Sequence, residues 1–227
     1  MGYDLIVLMI CHVHKFIIGD TMSKSFCHLD TIPSDLMDVI EADLVKNFDG
    51  SMSTSKLMGN KEVLEKRNSK NAWVPTTYWL GGLMWHYYKR ANDEFFHYKI
   101  DQIDGESMQY TQYGLNEHYD WHQDEGVQSL YKPEAGGRRN DNSVVQDFIN
   151  NSAQRIRKLS CIVQLSDGDD YEGGSTQIRD VDNTLYTIPR ERGTVVFFNS
   201  RLQHRAKSVK KGLRKSLITW AVGPRWK

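Results

Sequence analysis

The stretch Gly193–Ser216 reads GTVVFFNSRLQHRAKSVKKGLRKS and carries the clearest information about the fold. Its first part, Thr194–Phe198, is a run of β-branched and aromatic residues that is typical of a buried strand. After a polar turn, His204 opens a second β-prone run, and the Lys210–Gly212 turn leads into a third run that begins at Arg214. Short strands joined by such turns predict an antiparallel β architecture.

The same pattern of short β-prone runs and turns extends over the second half of the chain. Runs rich in β-branched and aromatic residues alternate with clusters of Gly, Asn, Asp or Pro. Many short strands of this kind indicate a sandwich or a barrel. Besides Thr194–Phe198, the predicted strands are Phe95–Ile100, Met108–Tyr113, Glu117–Asp124, Lys158–Leu165, Ser175–Ile178, Thr184–Ile188, His204–Val209 and Arg214–Val222.

Two amphipathic helices are predicted upstream of these strands, and we expect no strand before them. Within Pro33–Phe48, the residues Leu36, Ile40 and Leu44 recur at a spacing of four, which places them on one helical face. The segment Thr76–Asn92 repeats the pattern. A helix that is apolar on one side packs on another element. The predicted fold class is therefore α+β with a mainly β core, in which N-terminal helices pack on one sheet.

Length and composition fit a single globular unit. The chain has 227 residues, of which 39% are hydrophobic and 26% charged, and this excludes a disordered or collagen-like chain. Twenty-nine basic and twenty-nine acidic residues give zero net charge, so no global field attracts nucleic acid or a membrane. We predict an N-terminal arm over residues 1–21, a helical support region over 22–94 and a β core over 95–227. The last two regions are expected to form one compact domain.

The cysteines and the apolar segments bear on location. Cys11, Cys27 and Cys161 are odd in number and widely spaced, so they form neither a disulfide framework nor a metal knuckle. No apolar run reaches the roughly 18–20 residues of a membrane-spanning helix. The start of the chain also lacks the basic region of a signal peptide. We expect a reducing, cytoplasmic location without membrane association, and the sequence predicts no oligomeric state.

A candidate metal site begins at His122-Gln123-Asp124. Residues i and i+2 of a strand point to the same face, about 6.5–7 Å apart, so this imidazole and this carboxylate can converge on one ion. His204, at the start of a later strand, supplies a second imidazole. Two histidines and one carboxylate that leave the other positions open form the facial triad of non-haem Fe(II) oxygenases. The pattern predicts a metal site made of His122, Asp124 and His204.

A candidate anion site lies a short distance further along the chain. Strand alternation puts Arg214 and Ser216 on one face of the last strand and Lys215 and Leu217 on the other. We expect the turn at Lys210–Gly212 to return this strand beside the strand that carries His204. A fixed guanidinium with a hydroxyl two residues away suits a bound carboxylate.

Together these stretches resemble the Fe(II)- and 2-oxoglutarate-dependent dioxygenases, and within them the prolyl-4-hydroxylase-like branch and the bacterial PKHD-type hydroxylases. The resemblance rests on Tyr113–Asp124, on LSCIVQLSDGDDYEGGSTQI at Leu159–Ile178, and on Gly193–Pro224. It implies a double-stranded β-helix, a jelly-roll or cupin-like core, over nearly the whole β region. Gln164 is a departure, because many relatives carry there an aromatic side chain that lines the co-substrate pocket.

The resemblance implies an enzyme that uses Fe(II), 2-oxoglutarate and O2. 2-Oxoglutarate would chelate the iron through its keto-acid end and be converted to succinate and CO2 while an unactivated C–H bond is hydroxylated. The implied substrate is a prolyl or other residue of a peptide or protein, or a small amino-acid-like molecule, and ascorbate is an additional cofactor to consider. The implied roles are metal binding and catalysis for His122, Asp124 and His204, and co-substrate binding for Arg214, Ser216 and Tyr113.

Two other functions stay open from the sequence. One is a related enzyme that acts on nucleic acid, although demethylases of alkylated bases carry a further arginine six residues after the co-substrate arginine, where this chain has Trp220. The other is a non-catalytic, cupin-like metal-binding module, since fold does not fix function. Arg214 argues against that module, which has no need of a carboxylate clamp. The Asp124 carboxylate disfavours halogenation, because related halogenases vacate that position for chloride.

Several flanking residues carry weaker expectations. Tyr119 suits either a pocket or a core position, and His118 is expected to support the site or to be structural. Arg67 either faces the cleft or packs in an ordinary way. The segment Gly126–Arg157 is a long polar insertion, which predicts a functional lid or binding loop with Arg138-Arg139 near the mouth of the site.

Overall fold

Two helices and many short strands make up the computed structural model, which describes residues 27–55, 66–104, 108–125 and 155–226. The predicted arm at 1–21, Arg138-Arg139 and most of the insertion at 126–157 lie outside the described residues. The helices are α1 (Ser34–Phe48) and α2 (Trp79–Ala91). The strands are β1 (Cys27–Thr31), β2 (Ser53–Thr54), β3 (Arg67–Asn68), β4 (Lys70–Val74), β5 (Gln102–Ile103), β6 (Met108–Tyr113), β7 (His118–His122), β8 (Arg155–Gln164), β9 (Tyr171–Gly173), β10 (Thr176–Arg179), β11 (Leu185–Thr187), β12 (Thr194–Asn199), β13 (Gln203–Ala206), β14 (Val209–Gly212) and β15 (Arg214–Pro224).

The strands form a larger and a smaller antiparallel sheet that pack on each other. The larger sheet has the order β1-β12-β8-β15-β6-β4-β2, with β5 beside β15, and the smaller has the order β11-β10-β13-β7-β3. Buried Ile162 and Phe198 of the larger sheet share an apolar cluster with Ile178 of the smaller sheet. Two antiparallel sheets around an apolar interior are the architecture of a double-stranded β-helix. The predicted fold class is confirmed.

Both helices pack on the larger sheet, as predicted. Ile40 and Leu44 of α1 and Leu80 and Met84 of α2 are buried in the main core. Neither helix among the described residues is long and apolar enough to cross a bilayer. The sheet residues in the same core are Ala72, Met108, Tyr110, Leu159, Cys161, Val163 and Leu217.

Polar contacts fix the helices to β15. Lys215 Nζ lies 3.0 Å from Glu41 Oε1 on α1, and the Tyr88 hydroxyl on α2 lies 3.0 Å from Thr219 Oγ1. Lys215 and Thr219 therefore face the helices. Because side chains alternate along a strand, Arg214 faces the interior between the two sheets.

The structure corrects the expectation that no strand precedes the helices. β1 comes before α1 and pairs with β12, with Cys27 opposite Phe198. β4 lies between the helices and pairs with β6, although its sequence KNAWV falls partly within a polar stretch. Such strands are stabilised by pairing with a neighbour rather than by their own β propensity, so the local sequence does not reveal them.

The predicted strand Phe95–Ile100 is wrong. Residues Asn92–Phe96 form a π-helical turn that follows α2, and His97 is left-handed with φ of 54°. The Asn92 side chain accepts a hydrogen bond from the Tyr98 N–H at 2.9 Å and donates one to the Tyr98 carbonyl oxygen at 3.0 Å. These side-chain bonds satisfy backbone groups that a strand would pair with a neighbour.

The expectation that the strand of Arg214 lies beside the strand of His204 is also wrong. β15 pairs with β6 and β8 in the larger sheet, whereas β13 pairs with β10 and β7 in the smaller sheet. Between them the chain forms β14, which pairs with β9. Gly212 then turns the chain at φ of 77°, where a Cβ would collide with the Asp170 carbonyl oxygen. His204 and Arg214 therefore belong to opposite sheets.

Candidate active site

The side chains of His122, Asp124 and His204 meet where the smaller sheet faces the larger one. Their candidate ligand atoms all lie within 4.8 Å of one another. His204 Nε2 is 3.4 Å from Asp124 Oδ2, and His122 Nε2 is 3.9 Å from Asp124 Oδ1. Two imidazole nitrogens and one carboxylate at this spacing can bind one divalent ion and leave further coordination positions open. Their role as ligands stays a prediction.

Strand register and one turn bring these three residues together. β13 pairs with β7 so that His204 lies opposite His122, with ring centroids 4.1 Å apart. Asp124 follows β7, and its N–H and that of Glu125 both donate to the Ser200 carbonyl oxygen, at 3.0 and 2.9 Å. Because Ser200 precedes β13, these bonds tie the turn that carries Asp124 to the strand that carries His204.

Each imidazole is oriented through its second nitrogen. His122 Nδ1 lies 2.8 Å from the Asp120 carbonyl oxygen, and His204 Nδ1 lies 3.1 Å from the Leu202 carbonyl oxygen. A carbonyl oxygen only accepts, so each ring carries a proton on Nδ1, and in the neutral ring this tautomer presents an unprotonated Nε2 to the site. That tautomer is the one a metal ion requires.

Burial and mutual attraction set the protonation of the group. Burial, followed by the nearby His204, lowers the pKa of His122 to about 3. Burial alone would raise the pKa of Asp124, but the two histidines, Arg157 and the Ser160 hydroxyl together lower it. A neutral His122 and an ionised Asp124 at neutral pH are the forms of these residues that bind metal.

An aromatic stack supports His122. The Tyr119 ring lies parallel to His122 with centroids 3.5 Å apart, and the Arg67 guanidinium lies 4.6 Å from the Tyr119 ring centre. A bulge between the pairs His204–His122 and Ala206–Tyr119 puts Tyr119, rather than His118, in phase with His122. Tyr119 is therefore a wall of the site, and burial raises its pKa to about 12.

Arg157 and Trp220 form a second wall near Asp124. The Arg157 guanidinium lies 3.9 Å from the Trp220 ring centre, and its Nε donates to Asp104 Oδ2 at 2.6 Å. Trp220 is 5% exposed, and its Nε1 has no hydrogen-bond partner among the described residues. No sequence motif marks Arg157 or Asp104, because they meet Trp220 only through the folding of distant segments.

Arg214 forms a buried cationic centre between the sheets. It is 2% exposed, and its Nη2 donates to Gln164 Oε1 at 2.9 Å and to Thr176 Oγ1 at 2.8 Å. Within the described part of the chain, no carboxylate side chain pairs with it, and its Nε and the Ser216 hydroxyl have no hydrogen-bond partner. A buried charge and buried polar atoms of this kind require partners. A bound carboxylate fits both.

Tyr113 lies beside this buried cation. It is 3% exposed and pairs with Arg214 across β6 and β15, and the guanidinium lies 5.3 Å from its ring centre. Burial raises its pKa, although Arg67 and Arg214 oppose the rise. The phenol is therefore neutral and able to donate a hydrogen bond. Tyr113, Arg214 and Ser216 lie together as expected from the sequence, and their role in binding a co-substrate stays a prediction.

Comparison with models of protein families gives a match over the β region. A family model described as the 2OG-Fe(II) oxygenase superfamily matches residues 108–222. That range includes every strand that contributes to the group of His122, Asp124 and His204. A comparison with curated proteins gives no match.

Several solved structures share the fold at low sequence identity. A Pseudomonas putida prolyl-4-hydroxylase is 15% identical with a TM-score of 0.59, covering 89% of this chain and 94% of that one. A Trichoplax adhaerens prolyl hydroxylase in complex with a hypoxia inducible factor peptide fragment is 17% identical with a TM-score of 0.60, covering 87% and 83%. The viral collagen prolyl hydroxylase of Paramecium Bursaria Chlorella virus-1, in complex with 2OG, is 18% identical with a TM-score of 0.55, covering 87% and 96%.

Proposed function

This chain belongs to the 2OG-Fe(II) oxygenase superfamily, and from that premise we propose that it hydroxylates an unactivated C–H bond in a prolyl or other residue of a peptide. Family membership makes it a 2-oxoglutarate-dependent dioxygenase. The observation that carries the proposal is the cluster of His122, Asp124 and His204 near a buried guanidinium, Arg214, that has no carboxylate partner among the described side chains. Such a pair of sites suits an iron ion and a dicarboxylic co-substrate.

In this proposal His122, Asp124 and His204 hold Fe(II). The bound iron supplies the activation of O2, which is coupled to conversion of 2-oxoglutarate to succinate and CO2. Hydrogen bonds within the protein orient these three side chains without a bound metal ion. Backbone carbonyls orient both imidazoles, and Ser160 donates to Asp124 Oδ2 at 2.7 Å and restricts the rotation of the carboxylate.

Arg214, Ser216 and Tyr113 bind the distal carboxylate of 2-oxoglutarate. The Nε of Arg214 and the hydroxyl of Ser216 are the two buried polar atoms that a carboxylate would satisfy. Tyr113 adds a neutral phenol beside the guanidinium. Because the site is buried, a charge-assisted hydrogen bond here contributes about 1.5–3 kcal/mol to binding.

The wall of Trp220 and Arg157 receives the substrate. The indole, which is 5% exposed, has an apolar ring and an N–H that lacks a partner among the described residues, while Asp104 holds Arg157 in place. An amino-acid residue of a peptide provides both complements, an apolar side chain and a carbonyl oxygen that accepts from an N–H. The prolyl hydroxylase of similar fold that is in complex with a peptide fragment supports this choice.

A succinate-formation screen tests the proposed function. The protein is supplied with Fe(II), 2-oxoglutarate and ascorbate, the additional cofactor in the proposal, and with pools of proline-containing peptides, free amino acids or single-stranded oligonucleotides. We expect succinate above the substrate-free level with the peptide pool, and a peptide heavier by one oxygen atom. Turnover with oligonucleotides alone would favour the nucleic-acid alternative. No turnover with any pool would contradict the hydroxylase.

A further inference from the structure

Gln164 joins Arg214 to Tyr171 in the buried interior. Gln164 Oε1 accepts from Arg214 Nη2 at 2.9 Å, and Gln164 Nε2 donates to the Tyr171 hydroxyl at 3.2 Å. Gln164 is 1% exposed and Tyr171 is 3% exposed. Both polar ends of the amide are therefore committed to these two partners.

The phenol of Tyr171 enters this region from β9, outside the larger sheet. Arg190 fixes it, with the guanidinium 4.3 Å from the ring centre and Nη2 donating to the Tyr171 carbonyl oxygen. Tyr171 shares a buried cluster with Tyr113, which itself contacts Arg214. The family resemblance predicts an aromatic side chain at position 164. This chain has Gln164 there, and the aromatic ring beside it is that of Tyr171 on β9.

The directions of these hydrogen bonds follow from donor chemistry. A guanidinium only donates, so the amide oxygen of Gln164 faces Arg214 and its NH2 group faces Tyr171. The Tyr171 oxygen therefore accepts from Gln164, and its own proton is available to another acceptor. The same holds for Thr176, whose hydroxyl accepts from Arg214 Nη2 at 2.8 Å.

We propose that Gln164 is a positioning residue that makes the Tyr171 hydroxyl a hydrogen-bond donor to the distal carboxylate of 2-oxoglutarate. This inference rests on the proposed function. The carboxylate at Arg214 then also meets the Thr176 hydroxyl. An amide can arrange this because one end accepts and the other donates, whereas a carboxylate at position 164 would accept from both Arg214 and Tyr171 and would neutralise the guanidinium.

A double-mutant cycle on 2-oxoglutarate binding tests the proposal. The Mn(II)-loaded protein, Tyr171→Phe, Gln164→Met and the double variant are titrated with 2-oxoglutarate by calorimetry. We expect Tyr171→Phe to weaken binding about tenfold, as for one charge-assisted hydrogen bond. The double variant should bind 2-oxoglutarate no more weakly than Gln164→Met alone. Gln164→Met already removes the hydrogen bond that orients the Tyr171 hydroxyl, so loss of that hydroxyl should add nothing. In the Fe(II) enzyme, KM for 2-oxoglutarate should rise while kcat at saturation is unchanged.

The chain offers a matched control pair in Gln112 and Tyr110. Gln112 Nε2 donates to the Tyr110 hydroxyl at 3.1 Å, and Tyr110 lies in the core that contains the helices, away from Arg214. Gln112→Met and Tyr110→Phe remove the same kind of bond, from an amide N–H to a phenol oxygen. We expect both controls to bind 2-oxoglutarate within about twofold of the unmodified protein, and Gln164→Glu to lose far more than Gln164→Met.

The outcomes separate this inference from the proposed function. Binding of 2-oxoglutarate to the unmodified protein in the presence of Mn(II), and not in its absence, supports the proposed function. If Tyr171→Phe then binds 2-oxoglutarate equally well, the inference is overturned and the proposed function stands. Additive losses in the cycle would also overturn it, since two independent contacts would then explain the data. If the unmodified protein fails to bind 2-oxoglutarate at all, the proposed function fails. Unchanged Mn(II) affinity in each variant confirms that the fold is retained.

Discussion

The Ser160 hydroxyl lies 2.7 Å from Asp124 Oδ2 and 2.8 Å from the Ser200 hydroxyl. Ser160 belongs to β8 of the larger sheet, whereas Asp124 follows β7 of the smaller sheet. One hydroxyl therefore joins the two sheets at the carboxylate that is proposed to bind iron. Partners of this kind orient metal ligands and commonly change metal affinity by about 10–100-fold.

The first prediction concerns that hydroxyl. Ser160→Ala removes the bond to Asp124 and lets the carboxylate rotate, so Mn(II) binding should weaken about 10–100-fold. Calorimetric titration of the protein with Mn(II) measures the change. Ser51→Ala, an exposed serine that only bonds to the Phe48 carbonyl oxygen, serves as the control. Equal Mn(II) affinity in Ser160→Ala and the unmodified protein would show that Asp124 needs no such support.

The second prediction concerns the buried cation. Arg214→Ala should raise the KM for 2-oxoglutarate about 10–150-fold, because it removes a charge-assisted pair of about 1.5–3 kcal/mol. Metal affinity should stay the same. Arg205→Ala is the control, since Arg205 also donates to a glutamine, with two hydrogen bonds to Gln177 Oε1 at 2.8 and 3.0 Å. An Arg214→Ala enzyme with unchanged KM would refute the assignment.

The third prediction concerns stability. Tyr88 is fully buried on α2, and its hydroxyl lies 3.0 Å from Thr219 Oγ1 on β15. Tyr88→Phe removes one partner of the buried Thr219 hydroxyl, so the free energy of unfolding should fall by about 1–3 kcal/mol. Adding Thr219→Val should recover most of the loss, because both polar partners are then absent. Urea unfolding of the parent and the two variants tests this, and a Tyr88→Phe protein as stable as the parent would contradict it.

The fourth prediction concerns the buried thiols. Burial raises the pKa of Cys27 from 9.0 to about 12, and burial also raises the pKa of Cys161. Both groups are protonated at pH 8, and the thiolate is the reactive form. Iodoacetamide labelling, resolved by site in a mass spectrometer, should modify neither residue in the native protein and both after unfolding. Rapid labelling of native Cys161 would contradict its buried position.

The same shift gives a pH dependence of stability. A thiol of the unfolded chain ionises near pH 9, whereas the folded Cys27 stays protonated to about pH 12. The raised pKa therefore stabilises the folded state fully below pH 9, and this contribution is lost as the pH rises toward 12. The free energy of unfolding should decline above pH 9, and less steeply in a Cys27→Ala variant than in the parent.

Elements with a strong local pattern could be predicted from the sequence. The strand Met108–Tyr113 has its predicted bounds, and α1 begins one residue after its predicted start. Their apolar residues recur with the period of the element, so pairing partners were not needed to find them. The alternation of β15 likewise placed Arg214 and Lys215 on opposite faces.

Features that depend on distant segments could not be predicted. β1 and β4 are strands because they pair with β12 and β6, and the sheet that receives Arg214 depends on the separate pairing of β14 with β9. Ser160 and Tyr171 are common residue types in ordinary strands. Their contacts with Asp124 and Gln164 exist only once those strands are assembled.

The proposed iron site is tested by the absorption spectrum of the protein with Fe(II) and 2-oxoglutarate under anaerobic conditions. We expect a weak visible charge-transfer band that requires both components, is absent in Asp124→Ala and persists in Asp120→Ala, which removes an exposed carboxylate of β7. A missing band in the unmodified protein, or a band that survives in Asp124→Ala, would refute an iron site made of His122, Asp124 and His204.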